Sequence, residues 1–146
     1  MTKDQVYRVE YFAITADDQP GKGGDLGSRL KQEGVNLLGL LAFPTGNGKV
    51  QVDLVPEHPE DLKKAAKKIG LTLGEPKVAF LAQGTDRAGA MGEILSRLGT
   101  AKVNVRATAG VGAGGNRYGA LLWVKQADVE TASRALGATT MAAHKV

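Results

Sequence analysis

Asp18-Gln19-Pro20-Gly21-Lys22-Gly23-Gly24-Asp25-Leu26-Gly27-Ser28-Arg29-Leu30, followed by Val35-Asn36, returns later as Asp86-Arg87-Ala88-Gly89-Ala90-Met91-Gly92-Glu93-Ile94-Leu95-Ser96-Arg97-Leu98, followed by Val103-Asn104. The Asp, two Gly, Ser-Arg-Leu and Val-Asn recur at one offset without a gap (86 − 18 = 68). A repeat of this length fixes the unit of the fold. The unit is half of a 146-residue chain, too long for a solenoid repeat, so the sequence reads as two similar domains, 1–75 and 76–146. Halves of roughly 70 residues bury a limited fraction of their surface. They are therefore expected to pack on each other or on a second chain.

Working outward from the first copy, 6–15 is rich in β-branched and aromatic residues and predicts a strand, and 17–24 a glycine-containing loop. A helix is predicted over 25–33, with Leu26 and Leu30 on its apolar face and Gly34 as its stop. A strand over 36–43 and one over 49–55 flank a turn at 44–48, where Asn47-Gly48 supplies positive φ at low cost. A second helix begins near Pro59, carries the stripe Leu62, Ala65, Ala66 and Ile69, and stops at Gly70; 71–75 is read as a fourth strand.

The second copy repeats the order. It predicts a strand at 77–83, a helix with Met91, Ile94, Leu95 and Leu98 as its core face, and a strand at 104–110. A glycine-rich turn over 112–119 is read as longer than its counterpart, and it is followed by a strand at 118–125, a helix at 128–136 and a weak last strand in 139–146. The fold class expected is α+β: two ferredoxin-like βαββαβ units, antiparallel sheets with helices on one face, paired side by side. The free face of such a sheet needs cover, which predicts self-association.

The Asp-x-Pro-Gly turn, the leucine-bearing helix and the Val-Asn-Leu start of the next strand resemble the ACT domain, and the second copy resembles it with Ala88 in place of Pro. The resemblance runs from about Val6 to Leu136 and implies a tandem ACT protein: a non-catalytic regulatory module that binds an amino acid at the junction between paired domains. In a serine-binding member of the family, contacts come from the turn before Pro-Gly and from the Asn opening the second strand. Those positions are Asp18 and Asn36 in copy one, and Asp86 and Asn104 in copy two. Here Asp replaces the family's turn Asn, and Ala16 and Gly84 replace a histidine two positions earlier, a departure from the serine-binding pattern. The full set of expected ligand-binding residues is Asp18, Pro20, Gly21, Gly24, Asn36, Leu37, Asp86, Gly89, Gly92, Asn104 and Val105.

Elementary chemistry supports such a site. Glycine before a helix lets a ligand approach the backbone. The first N–H groups of the helix lack intrahelical acceptors and sit at the positive end of the dipole, which suits a carboxylate. An aspartate a few residues away suits an ammonium. A plainer reading makes Asp18 and Asp86 caps of the turn or helix, and lets the two asparagines serve αL geometry after the helix. Copy one, with Pro20 and three glycines in its loop, is the favoured site if only one is used.

Other chemistry is thin. The chain has no cysteine, which removes disulfides and thiolate sites. His58 and His144 have no partners at metal-ligand spacing, so neither a metal nor a cofactor is expected. No nucleophile, base and acid converge, so no catalytic residue is assigned. The glycine run over 110–117 lacks the Lys-Ser/Thr of a P-loop and does not open a helix. A net charge of +4 with interspersed signs is weaker than a nucleic-acid binder shows, and no 18-residue apolar run suggests a membrane span. The expected setting is cytoplasmic, the expected partners a regulated enzyme and a second copy of the chain. The alternative is a protein-interaction or RNA-binding ferredoxin-like module, stacking bases on Tyr11, Phe43 or Trp123.

Overall fold

A computed structural model describes residues 4–141. The elements run β1 (Gln5–Asp17), α1 (Lys22–Gln32), β2 (Leu37–Gly46), β3 (Lys49–Pro56), α2 (Pro59–Ile69), β4 (Lys77–Thr85), α3 (Ala90–Thr100), β5 (Val105–Gly114), β6 (Arg117–Val124), a 3₁₀ turn (Gln126–Asp128), α4 (Val129–Leu136) and β7 (Thr139–Thr140). The described residues divide into two compact units: 10–77, and 4–9 together with 78–141. Strand β1 therefore contributes its first half to one unit and its second half to the other.

In the unit formed by 10–77, β3 lies between β1 and β2 and is antiparallel to both. Phe12, Ile14, Leu30, Val52, Leu54, Leu62 and Ala65 form its core. Helix α2 follows its sequence signals: Pro59 is in the first turn, Glu60 and Asp61 are at the positive end, and Gly70 closes it in αL geometry. Arg29 on α1 donates to the backbone carbonyl of Ile69 at 2.9 Å, satisfying a free acceptor at the end of α2.

In the other unit, β6 lies between β4 and β5, antiparallel to both. The sheet order places β1 on the far side of β4. Val6 joins Phe80, Ile94, Leu98, Leu122 and Leu136 in that unit's core. The strand beside β4 thus comes from the start of the chain. The unit's own last strand, β7, pairs with β1 instead, in parallel, through Tyr7↔Thr139 and Arg8↔Thr140.

Several expectations are corrected. Residues 71–75 form no strand; one bond, from the Gly74 N–H to the Ala13 carbonyl at 2.9 Å, ties them to β1. The run 112–119 is not a long turn. β5 continues to Gly114 and β6 starts at Arg117, so only two residues turn, as at Asn47-Gly48 in the first copy. Helix α1 starts at Lys22, three residues before the expected start, because glycines 23 and 24 are taken into the helix once Gly21 turns the chain in αL geometry. Leu95 is exposed, and Ala90 takes its place on the buried face with Ile94 and Leu98 at i+4 spacing. The expected sheet face lacking cover is not present on β4: Ala79, Phe80, Leu81 and Ala82 are all buried, and consecutive buried residues mean both faces are covered. The tail reading over 139–146 is met only by the two residues of β7; 142–146, including His144, lie outside the described residues.

Candidate functional site

Both repeat loops meet their helices in the same way. Gly21 (φ 88°) and Gly89 (φ 82°) are the N-caps of α1 and α3, and no side chain caps either helix. A residue with a side chain resists this φ, so glycine is required for the turn. The aspartates are therefore not helix caps. Asp18 and Asp86 are exposed, and their side chains form no hydrogen bond or ion pair among the described residues. Their backbone N–H groups bond across to the hairpins, Asp18 to Gly48 at 2.8 Å and Asp86 to Asn116 at 2.9 Å.

The structure separates each aspartate from the asparagine of its own copy. Asp18, Pro20, Gly21 and Gly24 cluster at the start of α1; Asn36 and Leu37 follow its end. Asp86, Gly89 and Gly92 cluster at the start of α3; Asn104 and Val105 follow its end. An 11-residue helix stands between the two groups in each copy, about 16 Å of rise. Asn36 is exposed and its carbonyl accepts from the Glu57 N–H at 2.9 Å.

A cavity of about 280 Å³ lies at the second loop, lined by Asp86, Arg87, Gly89, Ala90, Met91 and Gly92 from the loop and α3, and by Gly110, Val111, Gly112 and Tyr118 from the β5–β6 hairpin. Three of the eleven expected ligand residues, Asp86, Gly89 and Gly92, are in its wall. The hairpin residues were not singled out by spacing. Their signal is the repeated glycine on β5, where Gly110 leaves the space occupied by Met91.

Behind the cavity is an ionic cluster with one cation and two carboxylates. Arg87 grips Asp4 with both ends of its fork, at 3.0 and 3.1 Å, and also donates to the Thr85 carbonyl at 3.1 Å and to Glu93 at 2.6 Å. The Asp4 side chain is 1% exposed. Its carboxyl is held below the usual carboxylate range by the Arg87 hydrogen bonds, against burial acting the other way. Gly84 makes this possible: a Cβ there would run into the Asp4 carboxylate and the Tyr118 ring.

The Tyr118 hydroxyl is buried and makes no hydrogen bond of good geometry among the described residues. Burial, and then the neighbouring Asp4 carboxylate, push it up to about 12. The neutral phenol is thus favoured in the folded state, so its stabilisation is complete below pH 10 and lost as pH rises through 12. Ultraviolet titration of the tyrosinate band is expected to show one late phase near pH 12 that Tyr118→Phe removes.

The remaining candidates have ordinary roles. His58 precedes α2 beside Glu57 at 3.4 Å. Among Lys63, Lys64, Lys67 and Lys68 two make surface ion pairs, Lys63 with Glu60 and Lys68 with Glu33. Tyr11 and Trp123 are buried and offer no face for base stacking. No group of three or more potential metal ligands occurs among the described residues, and none of their helices is long and apolar enough to cross a membrane.

No family model and no curated protein matches the sequence. Solved structures do match. A protein of Bacteroides thetaiotaomicron superposes with a TM-score of 0.71 at 15% identity, over 88% of this chain and 89% of that one. The ligand-free regulatory subunit of aspartate kinase from Thermus thermophilus gives 0.60 at 14% identity, covering 93% and 94%. Aspartate kinase from Clostridium acetobutylicum gives 0.53 at 17% identity, over 93% of this chain and 33% of that enzyme. These likenesses establish the fold class: α+β, with two ferredoxin-like units.

Proposed function

We propose that this chain is a tandem ACT protein, a non-catalytic regulatory module that binds an amino acid at the loop between β4 and α3. The observation that carries the reading is the cavity itself. It combines an uncapped helix N-terminus, which suits a carboxylate, with the unpaired Asp86, which suits an ammonium. A zwitterion needs one group of each kind a few ångströms apart. The cavity volume suits a single small metabolite, and Met91 and Val111 offer apolar walls for its side chain. The aspartate kinase regulatory subunit shares the fold, which is in keeping with a sensor that informs an enzyme.

The local charge narrows the ligand. Asp86 is the lining carboxylate and has no ion pair among the described residues, so it would repel a side-chain carboxylate placed beside it. Aspartate and glutamate are disfavoured there by repulsion. The chain is also proposed to act as a homodimer informing a partner enzyme; Leu40 and Phe43, exposed on strand β2, are the apolar groups a second copy would cover. A monomeric mass at micromolar concentration would argue against that assembly.

The test is a thermal-shift screen of the twenty amino acids at millimolar concentration. A ligand at about 100 times its dissociation constant adds about 2.7 kcal/mol, a rise of several degrees. One uncharged or cationic amino acid is expected to raise the melting temperature. Asp86→Ala is expected to abolish the rise while leaving the circular dichroism spectrum unchanged, since the side chain holds nothing in the folded protein. If no amino acid shifts the wild-type protein, the sensor reading fails.

A further inference from the structure

We infer that the duplication is asymmetric in function: only the second loop is a ligand site, Arg87 is its positioning residue, and each chain binds one ligand. This rests on the amino-acid reading above. Because both copies share one register, each cavity residue has a defined counterpart 68 positions earlier. The turn is conserved between them: Asp18 matches Asp86, Gly21 matches Gly89, and Gly24 matches Gly92. The surroundings of the turn are not.

Arg87 is replaced by Gln19, whose side chain makes no hydrogen bond among the described residues. The loss is mechanical. In the second copy the guanidinium joins the loop to the start of β1 through Asp4, to the end of β4 through Thr85, and to the first turn of α3 through Glu93. Three anchors of different direction hold the loop, and with it Asp86, in one position. In the first copy Gln19 is exposed, and Asp25, the counterpart of Glu93, is exposed without an ion pair among the described residues.

The walls differ in the same sense. Met91, which roofs the cavity by lying on Gly110, is replaced by Gly23, and Gly110 by Ala42. Gly112, in the cavity wall with Asp86, is replaced by Pro44. Tyr118, 4% exposed with a buried hydroxyl that has no hydrogen bond of good geometry, becomes Val50. The first loop keeps the bend of the backbone and lacks the counterparts of Arg87, Met91 and Tyr118, while Phe43 stands where the second copy has Val111. The sequence alone favours the opposite choice, because Pro20 and the extra glycine of copy one look more like a binding turn than Ala88 does.

The asymmetry is tested with three variants, Asp18→Asn, Asp86→Asn and Arg87→Gln. The amino acid giving the largest shift in the twenty-compound screen is titrated calorimetrically against each. Wild type is expected to bind one molecule per chain, Asp18→Asn to bind as wild type, and Asp86→Asn to lose at least tenfold in affinity. Arg87→Gln, measured at a temperature where its circular dichroism is that of a folded protein, is expected to lose a similar factor. A purely structural Arg87 would lower the melting temperature and leave the affinity of the folded fraction unchanged, and that result would remove its positioning role. Should Arg87→Gln not fold, Arg87→Lys serves instead: it keeps one charge and loses the fork. Two molecules per chain, or loss of binding in Asp18→Asn with retention in Asp86→Asn, would overturn the asymmetry and leave the sensor reading intact. No binding by wild type would overturn both.

Discussion

Arg87→Ala is expected to lower the urea midpoint of unfolding, because it leaves a shielded carboxylate without its cation. The direction follows from what stays behind. The Asp4 side chain is 1% exposed and would keep its carboxylate without the guanidinium that compensates it. Urea denaturation at neutral pH checks the loss. The acid limb checks the cause. Hydrogen bonding to Arg87 depresses the Asp4 pKa in the folded state, so the stability it contributes is complete above the unfolded value, about 3.9, and is lost as pH falls through the lower folded value. Asp4→Asn is expected to flatten stability against pH below about 4. An acid limb as steep as that of the wild type would show that other carboxylates carry it.

Phe80→Ala should lower stability by about 3–5 kcal/mol, through a different cause. Phe80 is 0% exposed in β4, packed with Ile94, Leu98 and Leu122, and its removal leaves a cavity between sheet and helices. Lys64→Ala on α2, an exposed position without an ion pair among the described residues, is the control and should change stability by less than about 0.5 kcal/mol. Equal losses in the two variants would mean that β4 is not a core strand. Because Phe80 is remote in chemistry from the ligand groups, its variant should still bind whatever the wild type binds wherever it remains folded.

Much of this molecule was legible before any coordinates. The constant offset of 68 carries through the elements: β2 and β5 are each 10 residues long, β3 and β6 each 8, and the two-residue turns coincide. Such agreement reflects local rules. Asn47-Gly48 and Gly70 occupy positive-φ positions that few other residues accept. The stripe Leu62, Ala65 and Ala66 has a period that only a helix can bury. The misreadings also have local causes. A glycine run looks like a turn, yet on β5 it continues the strand, and Gly110 leaves the space occupied by Met91. Residues 71–75 have strand-like composition but only one bond to β1 at Gly74.

The sequence by itself determined the duplicated α+β plan, the turn chemistry, the glycine-opened helices and the aspartates at their starts, because each depends on residues within a few positions of one another. Only the tertiary structure decided that β1 serves both units, that Asp4 meets Arg87 across 83 positions, and that the asparagines stand a helix length from the aspartates of their own copy. It alone made a pocket of the second loop, by laying the β5–β6 hairpin over the start of α3. The physical reason is that a cavity and a buried ion pair are properties of surfaces brought together from distant parts of the chain. Spacing along one strand or helix carries no record of what will lie across from it.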